Sequence, residues 1–255
     1  MAPVLFKAKL ILQHLCRLGL GWDEPIPNDC VDAWNTWFTE LPQIRCLQIN
    51  RCFLGPVSFE NVQLHFFADA SERAYGVVAY LRVDYIGKVL CNFLIGKSRL
   101  APIKSTSIPR LELEAATLAA KLNKMMLSEL NKPKWKTFLW TDSMTVLYMI
   151  NNSSKRFPTF VANRLAKINE LSEPSQWRYV NSSLNPADDA SRGIETSKLK
   201  QNSLWINGPD FLKYSEDKWP SIPCTLPDLP QEFLILKKQV HNTAVTKILK
   251  TKFFI

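Results

Sequence analysis

The sequence predicts an α/β fold for the central part of the chain, residues 58–195. Three observations indicate it. Consecutive β-rich apolar runs are followed by a long helix without an internal breaker, short strands and helices then alternate, and carboxylates stand where several of these elements begin or end. The predicted order is three strands, a helix, a strand, two helices, a strand and a final helix.

The first three predicted elements are strands. The segment VQLHFFADAS has the pattern of a strand that ends in a polar turn. The runs AYGVVAYLRV and KVLCNFLIGKS are β-rich, and DYIG between them is typical of a hairpin turn. We therefore expect the unit to begin with three strands that are consecutive in the chain.

The remaining predicted elements are mainly helical. Pro109 suits the first turn of a helix that continues through LELEAATLAAKLNKMMLSEL. The apolar strand TFLW follows, and a helix then begins at Asp142–Ser143 and runs to Ile150. A further helix is predicted at Phe157–Leu171, a strand at WRYV, and a capped helix in NPADDASRG that ends at Gly193.

The flanking segments have different patterns. Residues 1–57 are predicted to be helical, because apolar residues recur in them at helical spacing. These apolar residues are Leu5, Ile11, Leu12, Leu15 and Leu18. A second helix is expected near Asp32–Leu41. Residues 196–255 are predicted to be an irregular linker and tail, because prolines concentrate between Pro209 and Pro230 and the stretch from Phe233 onward contains Lys but no acidic residue.

Composition limits the partners and the compartment. The chain has 255 residues, a formal net charge of +9 and a pI near 9.3, which favours a polyanionic partner such as nucleic acid. Its six Cys include no Cys-x-x-Cys pair and it has only three His. We therefore expect reduced thiols in an intracellular protein and no zinc site of the usual type. We expect no signal peptide and no membrane span, because no apolar run is long enough.

Four carboxylates form a candidate site. Asp69 and Asp142 each follow a predicted strand, and functional groups in open α/β sheets gather at the carboxyl ends of strands. In LELEAA, Glu112 and Glu114 are about 200° apart around the helix, so both cannot face the sheet. Glu112 shares its stripe with small alanines that allow close approach to a strand, which favours Glu112. Asp188 opens the last helix, and Asp189 beside it is an alternative member.

The chemistry of this acidic set (Asp69, Glu112, Asp142 and Asp188) points to divalent cations. Clustered carboxylates repel one another unless a cation neutralises them. Oxygen ligands without His or Cys favour Mg²⁺ or Mn²⁺ over zinc. Two such ions about 4 Å apart activate a water and stabilise both oxygens of a phosphodiester displacement. The set therefore predicts metal-assisted phosphodiester hydrolysis, although each carboxylate taken singly is also compatible with helix capping or a solvated surface.

Several segments together resemble the ribonuclease H domain of BEL/Pao-type LTR retrotransposon polyproteins. They are FFADASERAYGVVAYL, SIPRLELEAATLAAKL, LWTDSMTVLYMI and SSLNPADDASRG. The strings KSRLAPIKSTSIPRLEL, RFPTFVANRLAKINEL and SLWINGPDFL are characteristic of the same group. The N-terminal AKLILQHLCRLGLGWDEPIP resembles the segment that follows the reverse-transcriptase polymerase domain in those polyproteins, which implies that residues 1–57 are a helical connection segment. The resemblance covers about residues 3–220.

The resemblance implies a fold, an activity and a ligand set. The fold is that of ribonuclease H: a five-stranded mixed sheet flanked by helices, with its first three strands antiparallel. The activity is hydrolysis of the RNA strand of an RNA–DNA hybrid during reverse transcription, with two Mg²⁺ or Mn²⁺ ions. The catalytic and metal-binding residues carried over are Asp69, Glu112, Asp142 and Asp188. The implied partners are the hybrid and the polymerase domain of the same polyprotein.

The chain departs from that pattern at one loop. Cellular ribonucleases H often carry a His before the last acidic residue, whereas VNSSLNPAD contains none, so we expect slower or differently assisted turnover. Asp189 stands where the motif often has an apolar residue. Polymerase, protease and integrase zinc motifs are absent from the sequence, which indicates a fragment of a polyprotein or the reading frame of a degenerate copy.

Four basic residues precede or open the helix that carries Glu112: Lys97, Arg99, Lys104 and Arg110. They are candidates for phosphate contacts, and the same residues are equally compatible with a solvated basic loop. The RNA strand would be distinguished through its 2′-OH groups.

Two other functions are compatible with the sequence. An integrase or transposase core would pair Asp69 and Asp142 with a later glutamate, for which Glu170 and Glu173 are available. A catalytically inactive nucleic-acid-binding remnant or domesticated module would need none of the carboxylates. The expected location is the cytoplasm, virus-like particles or the nucleus, and the oligomeric state is left open.

Overall fold

A computed structural model of the chain describes residues 1–49, 62–85, 87–132, 135–152 and 156–223. Its centre is one five-stranded sheet with strands β1 (Val62–Ala70), β2 (Ala74–Tyr85), β3 (Lys88–Leu100), β4 (Lys136–Thr141) and β5 (Trp177–Tyr179). The spatial order is β3-β2-β1-β4-β5. The pairs β1–β2 and β2–β3 are antiparallel, and the pairs β1–β4 and β4–β5 are parallel. The predicted mixed sheet is therefore confirmed.

Seven α-helices surround the sheet in the described residues. They are α1 (Ala2–Leu18), α2 (Asn28–Glu40), α3 (Ile108–Glu129), α4 (Met144–Asn151), α5 (Thr159–Leu171), α6 (Asp188–Arg192) and α7 (Leu204–Asn207). Single 3₁₀ turns connect several of them. The observed order of strands and helices within the central unit is the predicted one. The boundary placed at residue 57 lies outside the described residues.

One face of the sheet is covered by α3 because that helix has a stripe of small residues. Ala116, Ala119 and Ala120 have essentially no exposed surface. With no bulky side chain between them, the helix lies close to strand residues such as Phe66 and Leu81. Helices α4 and α5 complete this layer. The packing of α3 on the sheet fixes where its N-terminal part, which carries Glu112, meets the sheet edge.

The opposite face is covered by residues that the sequence analysis placed in a linker. Trp205 and Leu212 are fully buried against strand residues such as Tyr80 and Trp140. Gly96 of β3 makes room for this, because a Cβ there would lie 2.3 Å from the Trp205 ring. The turns of residues 196–219 thus form a second layer instead of an extended linker. The Pro-rich composition was misleading because proline suits short turns as well as linkers. Residues 224–255, including the Lys-rich tail, lie outside the described residues.

Helix α1 packs on this second face through residues that differ from the predicted stripe. Its buried apolar side chains are Val4, Phe6 and Ala8, whereas Leu12 and Leu18 are about half exposed. Gly193 accommodates Phe6: its φ is +79° and a Cβ there would lie 2.4 Å from the Phe6 ring. Only the N-terminal half of the helix therefore contributes to the core.

Two remaining features concern the thiols and the membrane. Cys16, Cys30, Cys46 and Cys91 are free thiols. None of the helices in the part of the chain that the structure describes has the length and apolar character to cross a bilayer.

We predict that Trp205→Ala strongly destabilises the protein, because it removes a large side chain that is fully buried against the sheet. The expected loss in the free energy of unfolding is about 3–5 kcal/mol. Trp22→Ala is the matched control, since Trp22 is fully exposed and its removal should change stability by less than about 0.5 kcal/mol. Chemical denaturation of both variants measures the difference. Equal, small effects would show that residues 196–219 do not belong to the folded core.

Candidate active site

Two aspartates are brought together by the parallel pairing of β1 with β4. Ala68 is opposite Thr141 in that register, so Asp69 and Asp142 occupy adjacent positions at the carboxyl ends of neighbouring strands. Side chains alternate along a strand, and both aspartates have the parity of the second face, shared with Phe67 and Trp140. The two carboxylates therefore lie on one side of one sheet edge, as the strand-end argument predicts.

Glu112 reaches the same edge from the first turns of α3. Ser143 donates a hydrogen bond from its Oγ to Oε2 of Glu112 at 2.6 Å. The same hydroxyl caps α4 by accepting a hydrogen bond from the backbone N–H of Val146 at 3.2 Å. Glu114 points elsewhere and forms an ion pair with Arg164 of α5 at 2.8 Å. The structure thus separates the two glutamates in the way that helical phase predicts.

Asp188 and Asp189 begin α6 beside this edge. Asp188 forms an ion pair with Arg192 one turn later in the short helix. Burial is the main cause of the raised pKa of Asp69 and of Asp142, and the charge of Asp188 adds to both shifts, so Asp188 acts on the same site. Burial raises the pKa of Asp189 to about 6, with a smaller contribution from Asp188. Asp189 also contributes to the raised pKa of buried Tyr80 on the second face of the sheet.

Small polar side chains hold the carboxylates in place. The Ser191 hydroxyl donates a hydrogen bond to Oδ2 of Asp69. The Ser71 hydroxyl donates to the Ser191 carbonyl at 2.6 Å, which ties the turn after β1 to α6. The Asn185 amide donates to the Ala68 carbonyl at 3.1 Å, and Asn185 and Ser182 both hydrogen-bond to Asp142. These supporting groups were missed by the sequence analysis, although Ser191 belongs to the quoted NPADDASRG segment.

The carboxylates of the site are partly buried, and nearby cations do not balance their negative charge. Burial, followed by the charge of Asp142, raises the pKa of Asp69 to about 7, and its hydrogen bond from Ser191 opposes the change. Burial also raises the pKa of Glu112 and of Asp142. Arg192 is the only cation that ion-pairs with a member of the acidic set among the described residues. The ionised site therefore requires additional positive charge.

The carboxylates surround an open cavity of about 470 Å³, which we call the acidic cavity. Asp69, Glu112 and Asp142 line it, with Arg73 and Arg192 at its walls. Asp188 does not line it and instead contacts Arg192.

The spacing of possible metal ligands differs between two parts of the molecule. In the described ranges, the only group of three or more side chains with ligand atoms within 4.8 Å of one another is His14, Asp29 and Cys30, which lies elsewhere. The acidic set is therefore spread around its cavity. Its oxygen-only donors fit hard divalent cations, and burial raises the pKa of Asp69, Glu112 and Asp142.

The four basic residues proposed for nucleic-acid contact do not line the acidic cavity. Lys97, Arg99 and Lys104 are exposed, on β3 and in the following loop. The Arg110 guanidinium lies 5.4 Å from the centre of the Phe160 ring on α5, so that side chain packs against a helix. The arginines that do line the cavity are Arg73 and Arg192, which no sequence motif singled out as nucleic-acid contacts.

The glutamates of the integrase alternative are also placed away from the cavity. Glu170 is exposed on α5 and pairs with Lys167 at 2.9 Å. Glu173 forms a capping box with Gln176. Neither residue lines the acidic cavity.

Comparison with known proteins gives one family and several solved structures. The family described as Pao retrotransposon-like RNaseH-like domain matches residues 1–143, which include Asp69, Glu112 and Asp142. The N-terminal RNase H domain of a Mycobacterium tuberculosis protein is 16% identical, with a TM-score of 0.38 over 51% of this chain and 94% of that chain. LC11-RNase H1, isolated from compost and solved with an RNA/DNA hybrid, is 16% identical, with a TM-score of 0.39 over 55% of this chain and 100% of that chain.

A third solved structure is RNase H1 from Halobacterium salinarum, which is 14% identical, with a TM-score of 0.35 over 51% of this chain and 93% of that chain. No curated protein sequence matches the chain.

We predict that Mg²⁺ stabilises the protein at pH 8 and has little effect at pH 5. The folded state raises the pKa of Asp69 to about 7, above its usual value near 4. A raised pKa contributes stability that is present below pH 4 and is lost as the pH rises through about 7. Without divalent ions the free energy of unfolding should therefore fall from pH 5 to pH 8, by on the order of 2 kcal/mol from this group.

Thermal and chemical denaturation in metal-free buffer, with and without Mg²⁺, measure this effect. Asp69→Asn is the control, because the amide faces Asp142 and Asp188 without titrating. The variant should have a shallower pH dependence and a smaller response to Mg²⁺. An unchanged slope in the variant would contradict the assignment to Asp69.

Proposed function

The chain belongs to the Pao retrotransposon-like family of RNaseH-like domains, and we propose that it hydrolyses the RNA strand of RNA–DNA hybrids within a retrotransposon polyprotein. The observation that carries this proposal is the convergence of Asp69, Glu112 and Asp142 on one open cavity. These residues come from β1, from α3 and from the end of β4. A solvent-open pocket dominated by carboxylates suits a metal-bridged anionic substrate better than an apolar one.

The residues of the acidic set fit two divalent cations, Mg²⁺ or Mn²⁺. Asp69, Glu112 and Asp142 would hold them, with Asp188 contributing from the rim. Bound ions of this kind supply an activated water and stabilise the oxygens of the phosphodiester that is displaced. Their charge would also offset the effects of burial and of carboxylate repulsion, which raise the pKa of Asp69 and of Asp142.

The protein's own side chains would orient the ligands and the substrate. Ser143 fixes the orientation of Glu112, and Ser191 fixes that of Asp69. Such supporting hydrogen bonds keep the carboxylates in one geometry and limit the reorganisation needed when a cation binds. Arg73 and Arg192 at the cavity wall supply positive charge to the phosphates on either side of the cut bond.

Recognition of the hybrid would be independent of base sequence. The protein is basic overall, and phosphate contacts provide most of the affinity in binding of this kind. Discrimination of RNA from DNA would use the 2′-OH groups beside the cut bond. The polymerase domain of the same polyprotein is the partner that would deliver the hybrid, and the cell compartment would be that of reverse transcription.

We predict that the purified chain cuts the RNA strand of a labelled RNA–DNA hybrid when Mg²⁺ is present and stops when EDTA is added. Asp142→Asn should lower the rate of RNA cleavage by more than about 100-fold, because it removes a charged metal ligand. Gel analysis of both labelled strands measures the cut. Metal-independent cutting, or cutting that the substitution leaves unchanged, would overturn the proposal. Cutting of double-stranded DNA would favour the transposase alternative, and hybrid binding without cutting would favour the inactive module.

We predict opposite results for the two glutamates of α3. Glu112→Gln should lower hybrid cleavage by more than about 100-fold, because the carboxylate that faces the cavity is lost. Glu114→Gln is the matched control: it removes a partly exposed ion pair with Arg164 and should keep most of the activity. Circular dichroism and a melting curve establish that both variants fold. Equal activities would show that α3 does not supply a metal ligand.

A further inference from the structure

A second, larger cavity lies beside the acidic cavity. This lateral groove has a volume of about 850 Å³ and lies between α1, the start of α2, the turn after β1 and the loop after β3. Glu72, Arg73 and Ile108 line both cavities, so the groove and the acidic cavity share one wall. A polymer that is bound at the carboxylates and extends into the groove would therefore pass these three shared residues.

The far wall of the groove is held firmly to the sheet. Lys9 of α1 donates a hydrogen bond from Nζ to the Ser98 carbonyl, and Gln13 donates from Nε2 to the Ala101 carbonyl, both at 2.7 Å. The Trp37 indole of α2 donates to the Val4 carbonyl at 2.9 Å and fixes α2 to α1. Residues of the connection segment thus form a fixed surface opposite the catalytic edge.

The groove presents two guanidinium groups that form no ion pair among the described residues. Arg17 of α1 is exposed, and Arg73 lies beside the acidic cavity. The Arg73 guanidinium lies 5.4 Å from the centre of the Phe6 ring, which holds it in place. Guanidinium groups with free donors are well suited to phosphate oxygens.

The rest of the lining suits the other parts of a nucleic acid. Ile103 and Ile108 are 57% and 40% exposed, which gives the groove apolar surface for sugar and base faces. Ser105 and Thr106 add hydroxyl groups between them. The acidic lining residues are Asp29, which lies beside His14 and Cys30, and Glu72 at the junction. The groove is therefore mixed in character, unlike the acidic cavity next to it.

We infer that the lateral groove is a nucleic-acid subsite, in which one backbone of the substrate continues from the acidic cavity past Arg73 and is bound by Arg17 of the connection segment. This inference rests on the proposed function in so far as the acidic cavity takes a nucleic acid. Helix α1 is then part of the substrate-binding surface as well as part of the core.

Hybrid binding by Arg17→Ala tests the inference, in a chain that also carries Asp142→Asn so that no cutting occurs. Fluorescence anisotropy with a labelled RNA–DNA hybrid is measured from about 50 to 200 mM salt. The dissociation constant should rise about tenfold at low salt, and the slope of log K against log salt should become shallower by about one. Arg45→Ala is the matched control, since Arg45 is exposed in the same segment but lines neither cavity.

The outcomes separate this inference from the proposed function. In the otherwise unsubstituted chain, Arg17→Ala should raise the KM for cleavage and leave kcat near its original value. Cleavage by the unsubstituted chain, together with identical binding by the Arg17 and Arg45 variants, overturns the groove alone. Arg17-dependent binding without any cleavage supports the groove and overturns the proposed function. Absence of any hybrid binding overturns both.

Discussion

Parallel pairing of β1 with β4 is the constraint on which the rest of the site depends. It places Asp69 and Asp142 at adjacent strand ends on the same face, where their charges repel and where burial makes that repulsion costly. The neighbouring elements are arranged around this edge. Helix α3 brings Glu112, α6 brings Asp188 with its own Arg192, and the turn after β1 is tied to α6 through Ser71. A site of this kind is unfavourable by itself and becomes favourable when positive charge enters it.

The two faces of the sheet are covered by different kinds of side chain. The α3 face is a conventional core of small and branched apolar residues, and it sets the distance between helix and strand. The other face is filled by aromatic side chains from distant parts of the chain, among them Trp140, Trp205 and Trp219. Buried His65 belongs to that layer, and its Nδ1 accepts a hydrogen bond from the Trp140 indole at 3.1 Å. Because the second layer includes α1 and residues 196–219, the acidic edge is supported by segments on both sides of the central unit.

The sequence was sufficient for the elements that depend on local patterns. β-rich apolar runs bounded by turns predicted the strands, the absence of a breaker predicted α3, and helical phase separated Glu112 from Glu114. It was insufficient where burial depends on what packs against an element. The stripe of Leu12 and Leu18 on α1 is half exposed, because only the first half of the helix reaches the sheet. Trp205 could not be placed, since its pocket is made by the absence of a side chain at Gly96, far away in the sequence. Arg17 and Arg73 were not recognised as neighbours of the site, because the cavities that they line are formed by segments far apart in the sequence.

The contact between Phe6 and Gly193 affects when the acidic set is completed during synthesis and folding. Helix α6 carries Asp188 and lies against α1, so the last carboxylate is positioned by residues from opposite ends of the described chain. Closing so long a loop costs conformational entropy, and contacts between distant segments slow folding. During synthesis β1, α3 and β4, and with them Asp69, Glu112 and Asp142, emerge before α6. The full acidic set is completed only when α6 docks. Until α6 has emerged, a nascent chain has the residues of all five strands but an incomplete set of carboxylates.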